Sequence, residues 1–395
     1  MIIDKPEFVE SDGELQCRYP VQFKGGTGRA LWYRVSSEWA DLVSFRMDAP
    51  VVALLIPAMA RGEAIHIVGT ISERLYYSLS RPFQHMLRAM FPSLTVVDIH
   101  PQHVESTAAQ GVAAGFSGGI DSFCLLADHH YAPDVPTGFR LTHLLYNNVG
   151  SHGRRGEELF RERYERLKAV VERIGLPFIA VNSNLDDFYA GFTFEQTNTV
   201  RNASVALLLQ RGLKRWLYAS SFKYADLFIG PKVSNMAYAD PFALSLLSTE
   251  ALDMLSVGGE YSRVEKTLRV AKIQDSYTAL DVCVRPGRGG EQCSRCEKCL
   301  RTLLTLEIAG ALPLYRNVFN LDVYSKARTM YIAEVLRNHT PFHREIVSFA
   351  KECGYKFPVV AHVIALMRVP DARNLGRRAL RHARAGLHES RAGSP

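Results

Sequence analysis

The chain has 395 residues, 47% of them hydrophobic and 22% charged, a composition that builds packed cores and excludes a disordered or collagen-like polymer. Its longest apolar runs, 51–58 and 205–209, fall well short of the ~18 residues that a membrane span needs. The first residues, Met1-Ile2-Ile3-Asp4-Lys5-Pro6-Glu7, lack the basic-then-apolar order of a secretory signal, so a cytoplasmic protein is expected. The net charge of +7 gathers at one end. Seven arginines (368, 373, 377, 378, 381, 384 and 391) stand against Asp371 and Glu389, which leaves +2 for the first 367 residues. Basicity is thus a property of a tail and not of a nucleic-acid-binding domain. Such a tail reads as a solvated basic helix, or as an arm that touches RNA, a membrane surface or an acidic partner.

Taken in chain order, residues 1–107 form an N-terminal α/β accessory block. It has a strand at 64–68, an amphipathic helix over 72–90 stopped by Pro92, and a strand at 94–99. Within it, Lys24-Gly25-Gly26-Thr27-Gly28-Arg29 reads as a turn joining two strands. Polar residues 102–110 read as a linker. Beyond them, strands at 111–116, 141–147, 178–182 and 213–220 alternate with a helix ending near His130 and helices over 156–174 and 196–210. That alternation predicts an α/β domain over 108–280 with a doubly wound parallel sheet, whose ligands bind at the carboxyl ends of the strands. Residues 281–312 carry a cysteine cluster and open a helix at 299–308, and 313–395 read as a helical segment ending in the basic tail.

Ser117-Gly118-Gly119-Ile120-Asp121-Ser122 lies between the first strand of that domain and its helix. Two adjacent glycines allow a tight turn and close backbone approach to an anion. The loop amides and the helix N-terminus then form a donor surface for phosphate oxygens, with the Ser117 and Ser122 hydroxyls added. Asp121 is placed to hold a magnesium ion bridging phosphates. No lysine lies in the loop, which excludes a Walker-type phosphate loop. The segment resembles the PP-loop ATP-pyrophosphatase superfamily, whose loop has the form Ser-Gly-Gly-x-Asp-Ser. The resemblance covers about 108–280. It implies ATP as substrate, release of pyrophosphate and transfer of AMP to a substrate oxygen.

Of seven cysteines, four fall in Cys283-x9-Cys293-x2-Cys296-x2-Cys299, a density that in a cytosolic-looking chain suggests metal ligation over disulfides. Four soft ligands suit a closed tetrahedral Zn²⁺ knuckle, and an iron–sulfur cluster would use the same set. Pro286 and glycines 287, 289 and 290 let the chain double back, while Arg285, Arg288, Arg295 and Lys298 offset thiolate charge. The cluster brings the chain closest to the 7-cyano-7-deazaguanine synthase family, in which a similar thiol precedes a Cys-x2-Cys-x2-Cys run. Tyr146-Asn147 with 152–157 is similar to that family's loop after the second strand, Val200-Arg201-Asn202 to its Gly-Arg-Asn, and Tyr238-Ala239-Asp240 to its Tyr-Pro-Asp. Lys266 matches a later lysine. The resemblance implies that Asp121, Ser122, Arg201 and Lys266 serve catalysis. It also implies that Ser117, Gly118, Gly119, Arg154, Asn202 and Asp240 hold nucleotide or a purine- or deazapurine-like substrate. The family's Gln-Arg-His and Pro-Gly-Arg-Asn forms are not reproduced, and the chain is longer at both ends, as in a specialised relative.

The second chemical step stays open at this level. Ammonia or an amine could displace AMP to give an amide and then a nitrile. No glutaminase block is evident, so nitrogen would arrive free or from a partner. Alternatively, Cys124 lies three residues after Asp121 on the same helical face, near an anion-binding N-terminus that would favour its thiolate. A persulfide there could deliver sulfur, with a sulfur donor protein as partner, in a thionation like that of the tRNA-thiolating enzymes. A third reading is a nucleotide-binding interaction module without turnover. Cys17 and Cys353 read as inert, His129-His130 as a charged C-terminal turn, and Asp186-Asp187 as a cap or a magnesium site. A homodimer is the one self-association left open. No membrane partner is expected, and nucleic acid only through the tail.

Overall fold

Residues 2 to 105 supply six strands and three helices: β1 (Ile2–Ile3), β2 (Glu7–Ser11), β3 (Glu14–Gln22), β4 (Arg29–Ser36), α1 (Asp48–Arg61), β5 (Ile65–Ser72), α2 (Glu73–Ser80), α3 (Pro82–Met90) and β6 (Ile99–Glu105). The expected turn at 24–29 does join two strands, β3 and β4, which pair antiparallel. The helix expected over 72–90 is two helices, because Pro82 has no N–H to continue the first. The strand expected at 94–99 begins only at Ile99 and runs through residues read as linker. It is an edge strand with its polar side chains exposed, where hydrophobic alternation is absent and Pro101 is tolerated. Helix α1 is buried from Asp48 to Met59 on every side, so it shows an apolar run in place of a helical stripe.

The computed structural model describes residues 1–367 except 27, 81, 106–110, 134, 136, 153–155, 232–233 and 285–290, with the backbone alone at 73, 74, 77, 78, 82, 85 and 89. The chain divides into two compact units, Met1–Leu321 and the part from Asp322 onward.

In the first unit the chain continues through β7 (Val112–Gly115), α4 (Ile120–Leu126), β8 (His143–Asn148), α5 (Gly156–Ile174), β9 (Phe178–Ser183), α6 (Phe194–Leu208), β10 (Arg215–Ala219), α7 (Asp240–Leu247), β11 (Asp253–Val257), α8 (Arg263–Val270), α9 (Ser276–Ala279) and α10 (Glu297–Ile308). Strands β7 to β11 pair in parallel in the order β11-β10-β7-β8-β9. Their side chains are apolar on both faces. Ala113, Leu145, Ile179 and Trp216 join the large core with α1 and α6, while Leu144 and Leu217 are buried on the other side. Strand order reverses between β7 and β10, which opens a crevice at the carboxyl ends of the strands. The protein is therefore α/β with a mostly parallel central sheet.

Strand β4 pairs antiparallel with β9, so the strands of 1–107 continue the same sheet. The junction carries buried polar links. The Tyr33 hydroxyl donates to Ser204 Oγ at 3.0 Å. Asp48, fully buried, accepts from the Ser72 amide at 2.8 Å, the Ser72 hydroxyl at 2.6 Å and the Gln210 amide group. A buried carboxylate needs such donors to be tolerated, so these bonds pin α1 and β5 to the chain after α6.

Candidate functional site

The glycine loop sits at the sheet's switch point. β7 ends at Gly115, and α4 starts at Ile120 with Gly119 as its cap. Gly118 has φ +72°, and a Cβ there would come within 2.7 Å of Leu167 and 3.2 Å of the Ala279 carbonyl, so a side chain is excluded by strain and by space. The Asp281 amide donates to the Gly118 carbonyl at 2.6 Å, and the Ser122 hydroxyl donates to the Gly119 carbonyl at 3.0 Å. Above Gly115, a Cβ would meet nothing within 4 Å, so the crevice is open at the end of the central strand. Helix α4 passes without a break into one π turn, Ala127–Tyr131, ending near the expected position. In that turn burial lowers the His129 and His130 pKa values, which works against the expected charged turn.

Asp121, on the first turn of α4, meets two cations from α8. Arg263 Nη1 lies 2.8 Å and Lys266 Nζ 3.2 Å from Oδ1. Burial pushes this carboxyl up, but Arg263 and Lys266 outweigh it and hold Asp121 below the usual carboxylate range. Lys266 is 2% exposed and also donates to the Ser220 carbonyl at the end of β10. Lys298, exposed on the first turn of α10, makes no ion pair with Asp121 among the described residues; desolvation, Arg263 and Arg301 lower its pKa, while Asp121 and Cys296 act the other way. Arg263 was missed as a member of this site. A readable signal existed, since Ser262-x-x-Glu265 is a capping box that opens α8 and sets Arg263 and Lys266 one turn apart.

On the α6 side of the crevice, Asn147 Nδ2 donates to Asn202 Oδ1 at 3.1 Å, and Asn202 bonds the Tyr218 hydroxyl. Asp240, at the start of α7, is 0% exposed and accepts from the Thr199 hydroxyl at 2.6 Å. Burial drives its pKa up to about 8, with Thr199 opposing. Unfolded, this carboxyl titrates near 3.8. Burying it therefore costs nothing below that value and progressively more as pH rises towards 8. Asp240→Asn keeps an oxygen for Thr199 and has no charge to bury. It is expected to melt higher than wild type at neutral pH, with the gain vanishing near pH 4. A lower melting temperature at neutral pH would refute this.

Arg201 is not at the surface of the crevice but fully buried. Its Nε donates to Thr197 at 2.7 Å and its Nη1 to the Val149 carbonyl at 3.1 Å and Asp186 at 2.6 Å, and its guanidinium lies 4.0 Å over the Tyr189 ring. It ties together the ends of β8 and β9, and Asp186 is its counter-ion. Arg154 lies outside the described residues, as do Arg285, Pro286, glycines 287, 289 and 290, Arg288 and the tail from residue 368.

Cys124 lacks the environment that the sulfur-transfer alternative needs. It is buried on α4, and burial pushes its thiol up to about 11 despite Lys266 and Arg269, which favours the neutral thiol. Burial in apolar surroundings raises a thiol pKa, and here it outweighs the helix N-terminus and the two cations. Cys17 is likewise buried, with its thiol up to about 12.

Cys283, Cys293, Cys296 and Cys299 converge, with all four Sγ atoms within 4.8 Å of one another. Cys283–Cys296 and Cys293–Cys299 are 4.0 Å apart, and Cys296–Cys299 3.4 Å. Thiolates about 2.3 Å from a tetrahedral ion are about 3.8 Å from each other, so the spacing fits a metal ion. The turn is tight enough to place Ser294 at φ +50°. It lets the Cys293 and Cys296 amides donate to Cys283 and Cys293 sulfurs at 3.4 and 3.3 Å. Gln292 Oε1 accepts from the Val282 and Cys283 amides, and its Nε2 donates to Asp281, which also pairs with Arg163 and Arg166. Through Asp281, the cysteine cluster is two residues from the glycine loop. Through α10, it carries Lys298. Among the described residues no other group of three such ligands is assembled.

The fold and site define an α/β protein with a glycine loop at the switch point of a parallel sheet, a partly buried cation–carboxylate cluster beside it and a cluster of four cysteines that could hold a metal ion behind it. No protein-family model, no curated protein and no solved structure matches this chain.

Proposed function

We propose that the protein is an AMP-forming synthase of PP-loop type that adenylates a carboxyl or carbonyl oxygen on a purine- or deazapurine-like molecule and displaces AMP with nitrogen. The observation that carries this reading is the convergence of Asp121, Arg263 and Lys266 beside Gly118 and Gly119, at the carboxyl end of β7. The loop amides and the two cations offer donors to a triphosphate. As the substrate oxygen bonds to the α-phosphorus and the bond to pyrophosphate breaks, negative charge gathers on the leaving group, where Arg263 and Lys266 stabilise it. Drawing those cations to phosphate frees the Asp121 carboxylate. A magnesium ion arriving with ATP would be held by Asp121 and phosphate oxygens and would supply further charge neutralisation. Nitrogen then bonds to the activated carbon, AMP departs with the bonding pair and the amine loses a proton. The neutral, buried Cys124 favours nitrogen over sulfur as the nucleophile. Zinc is the ion proposed for Cys283, Cys293, Cys296 and Cys299, which would hold α10 and Asp281 against the loop.

Incubation with ATP, ammonia and purine- or deazapurine-type carboxylates tests the reading. Pyrophosphate and AMP should appear in equal amounts and only with an acceptor. Formation of ADP, a strict need for a sulfur donor, or nucleotide binding without turnover would each overturn it.

A further inference from the structure

A cavity of about 460 Å³ lies at the end of α4 and α8 remote from the glycine loop. Near their N-termini the two helices are joined by Asp121, Arg263 and Lys266. They are joined again by Asp128, in the π turn after α4, and Arg269, in the last turn of α8. Just past that second tie, both chains turn and line the cavity. Its volume falls within the range of sites that hold small organic molecules.

The walls are apolar at Ala127, Ala132 and Ile273, with the Tyr131 ring, 40% exposed, beside them. The Tyr131 hydroxyl donates to Asp275 Oδ2 at 2.7 Å, so the residue offers its ring to a ligand. Most charges around the cavity already have partners. Asp275 also pairs with Arg173 at 3.5 Å, which leaves no free carboxylate for a cationic ligand. Arg269 pairs with Asp128 and lies 4.5 Å over the Tyr261 ring, but its buried Nε has no acceptor. Lys272, exposed in the lining, has no ion pair among the described residues. Helix C-termini ordinarily repel anions. Here their carbonyls are covered: His130 and Ala132 by Arg140, Val270 by the Ser276 hydroxyl and Ala271 by the Tyr277 hydroxyl.

We propose that this cavity binds a small monoanion with a flat apolar body, of the class of an aromatic carboxylate. Its carboxylate meets the Lys272 ammonium and its ring packs on Tyr131 and Ile273. One uncommitted ammonium beside the Asp275 carboxylate balances a single negative charge and disfavours a second, so a polyphosphate does not suit the site. The cavity is separate from the glycine loop and independent of the chemistry proposed there.

Calorimetric titration of the full chain with 2-naphthoate tests it, with 2-naphthamide as the neutral match and naphthalene-2,6-dicarboxylate as the dianion. One 2-naphthoate is expected per chain, with the amide bound more weakly and the dianion no more tightly. Lys272→Gln should weaken 2-naphthoate binding roughly fivefold, the scale of one partly exposed ion pair, and Lys272→Arg should restore it. Both variants should melt as wild type, because Lys272 lies at the surface. Ala132→Leu, which fills the cavity, should abolish binding. No binding of 2-naphthoate, equal or tighter binding of the amide, tighter binding of the dianion, or unchanged affinity in Lys272→Gln overturns the proposal. So does displacement of 2-naphthoate by ATP, which would place the probe at the glycine loop, or full binding by a folded Ala132→Leu. If Ala132→Leu melts early, the Lys272 variants decide alone.

Discussion

Cys299→Ser is expected to abolish metal retention and to lower the melting temperature sharply, and with it ATP binding. Cys299 is fully buried at the start of α10, 3.4 Å from Cys296 Sγ and 4.0 Å from Cys293 Sγ, so its loss leaves three ligands and an open position. Cys283 and Cys299 hydrogen-bond Cys296 and hold its thiol well below the usual range. Structural zinc contributes on the order of 10 kcal/mol of apparent binding free energy in small domains. Here the effect should spread by two routes. Asp281 loses the anchor that presents its amide to Gly118, and α10 loses the turn that opens it. Metal content by mass spectrometry, melting with and without chelator, and calorimetric ATP titration follow the three effects. A wild-type protein that holds no metal, or a chelated protein that melts unchanged, would refute the structural role.

Asp121→Ala should lower pyrophosphate release at least 100-fold, the scale seen when a charge-stabilising group is lost from an active site. It should also cost about 3–5 kcal/mol of stability, because a nearly buried lysine loses its counter-ion. The two effects separate in Lys266→Met, which keeps the apolar stem and leaves Asp121 paired with Arg263. That variant should fold with near wild-type stability yet turn over poorly. Because the folded Asp121 pKa lies below its unfolded value of 3.8, its stabilisation is complete above that value and is lost as pH falls through the folded one. The stability gap between wild type and Asp121→Ala should stay constant from neutral pH down to about 5 and close on further acidification. A gap that instead widens in acid, or Lys266→Met turnover equal to wild type, would remove the cation–carboxylate cluster from the mechanism.

Legibility in the sequence followed the range of the interaction. Strands β7 to β10 and α5 were readable because their residues are apolar in runs of the right length, and α5 matches its expected bounds of 156–174, whereas β11 was not expected. The glycine loop was readable because only glycine tolerates φ +72° against Leu167, and the cysteine cluster because ligands must lie close in sequence to close a tight knuckle. Edge strand β6 and helix α1 were not, since one shows no alternation and the other no polar face.

What the sequence determined by itself was therefore local: a strand–loop–helix turn whose loop needs glycine, and four thiols spaced closely enough to share one ion. Only the tertiary structure decided that Arg263 and Lys266, more than 140 residues away, neutralise Asp121, that Arg201 is a buried tie and that Cys124 is kept neutral. Charge pairing and desolvation depend on which surfaces are brought together, and no spacing along the chain encodes that.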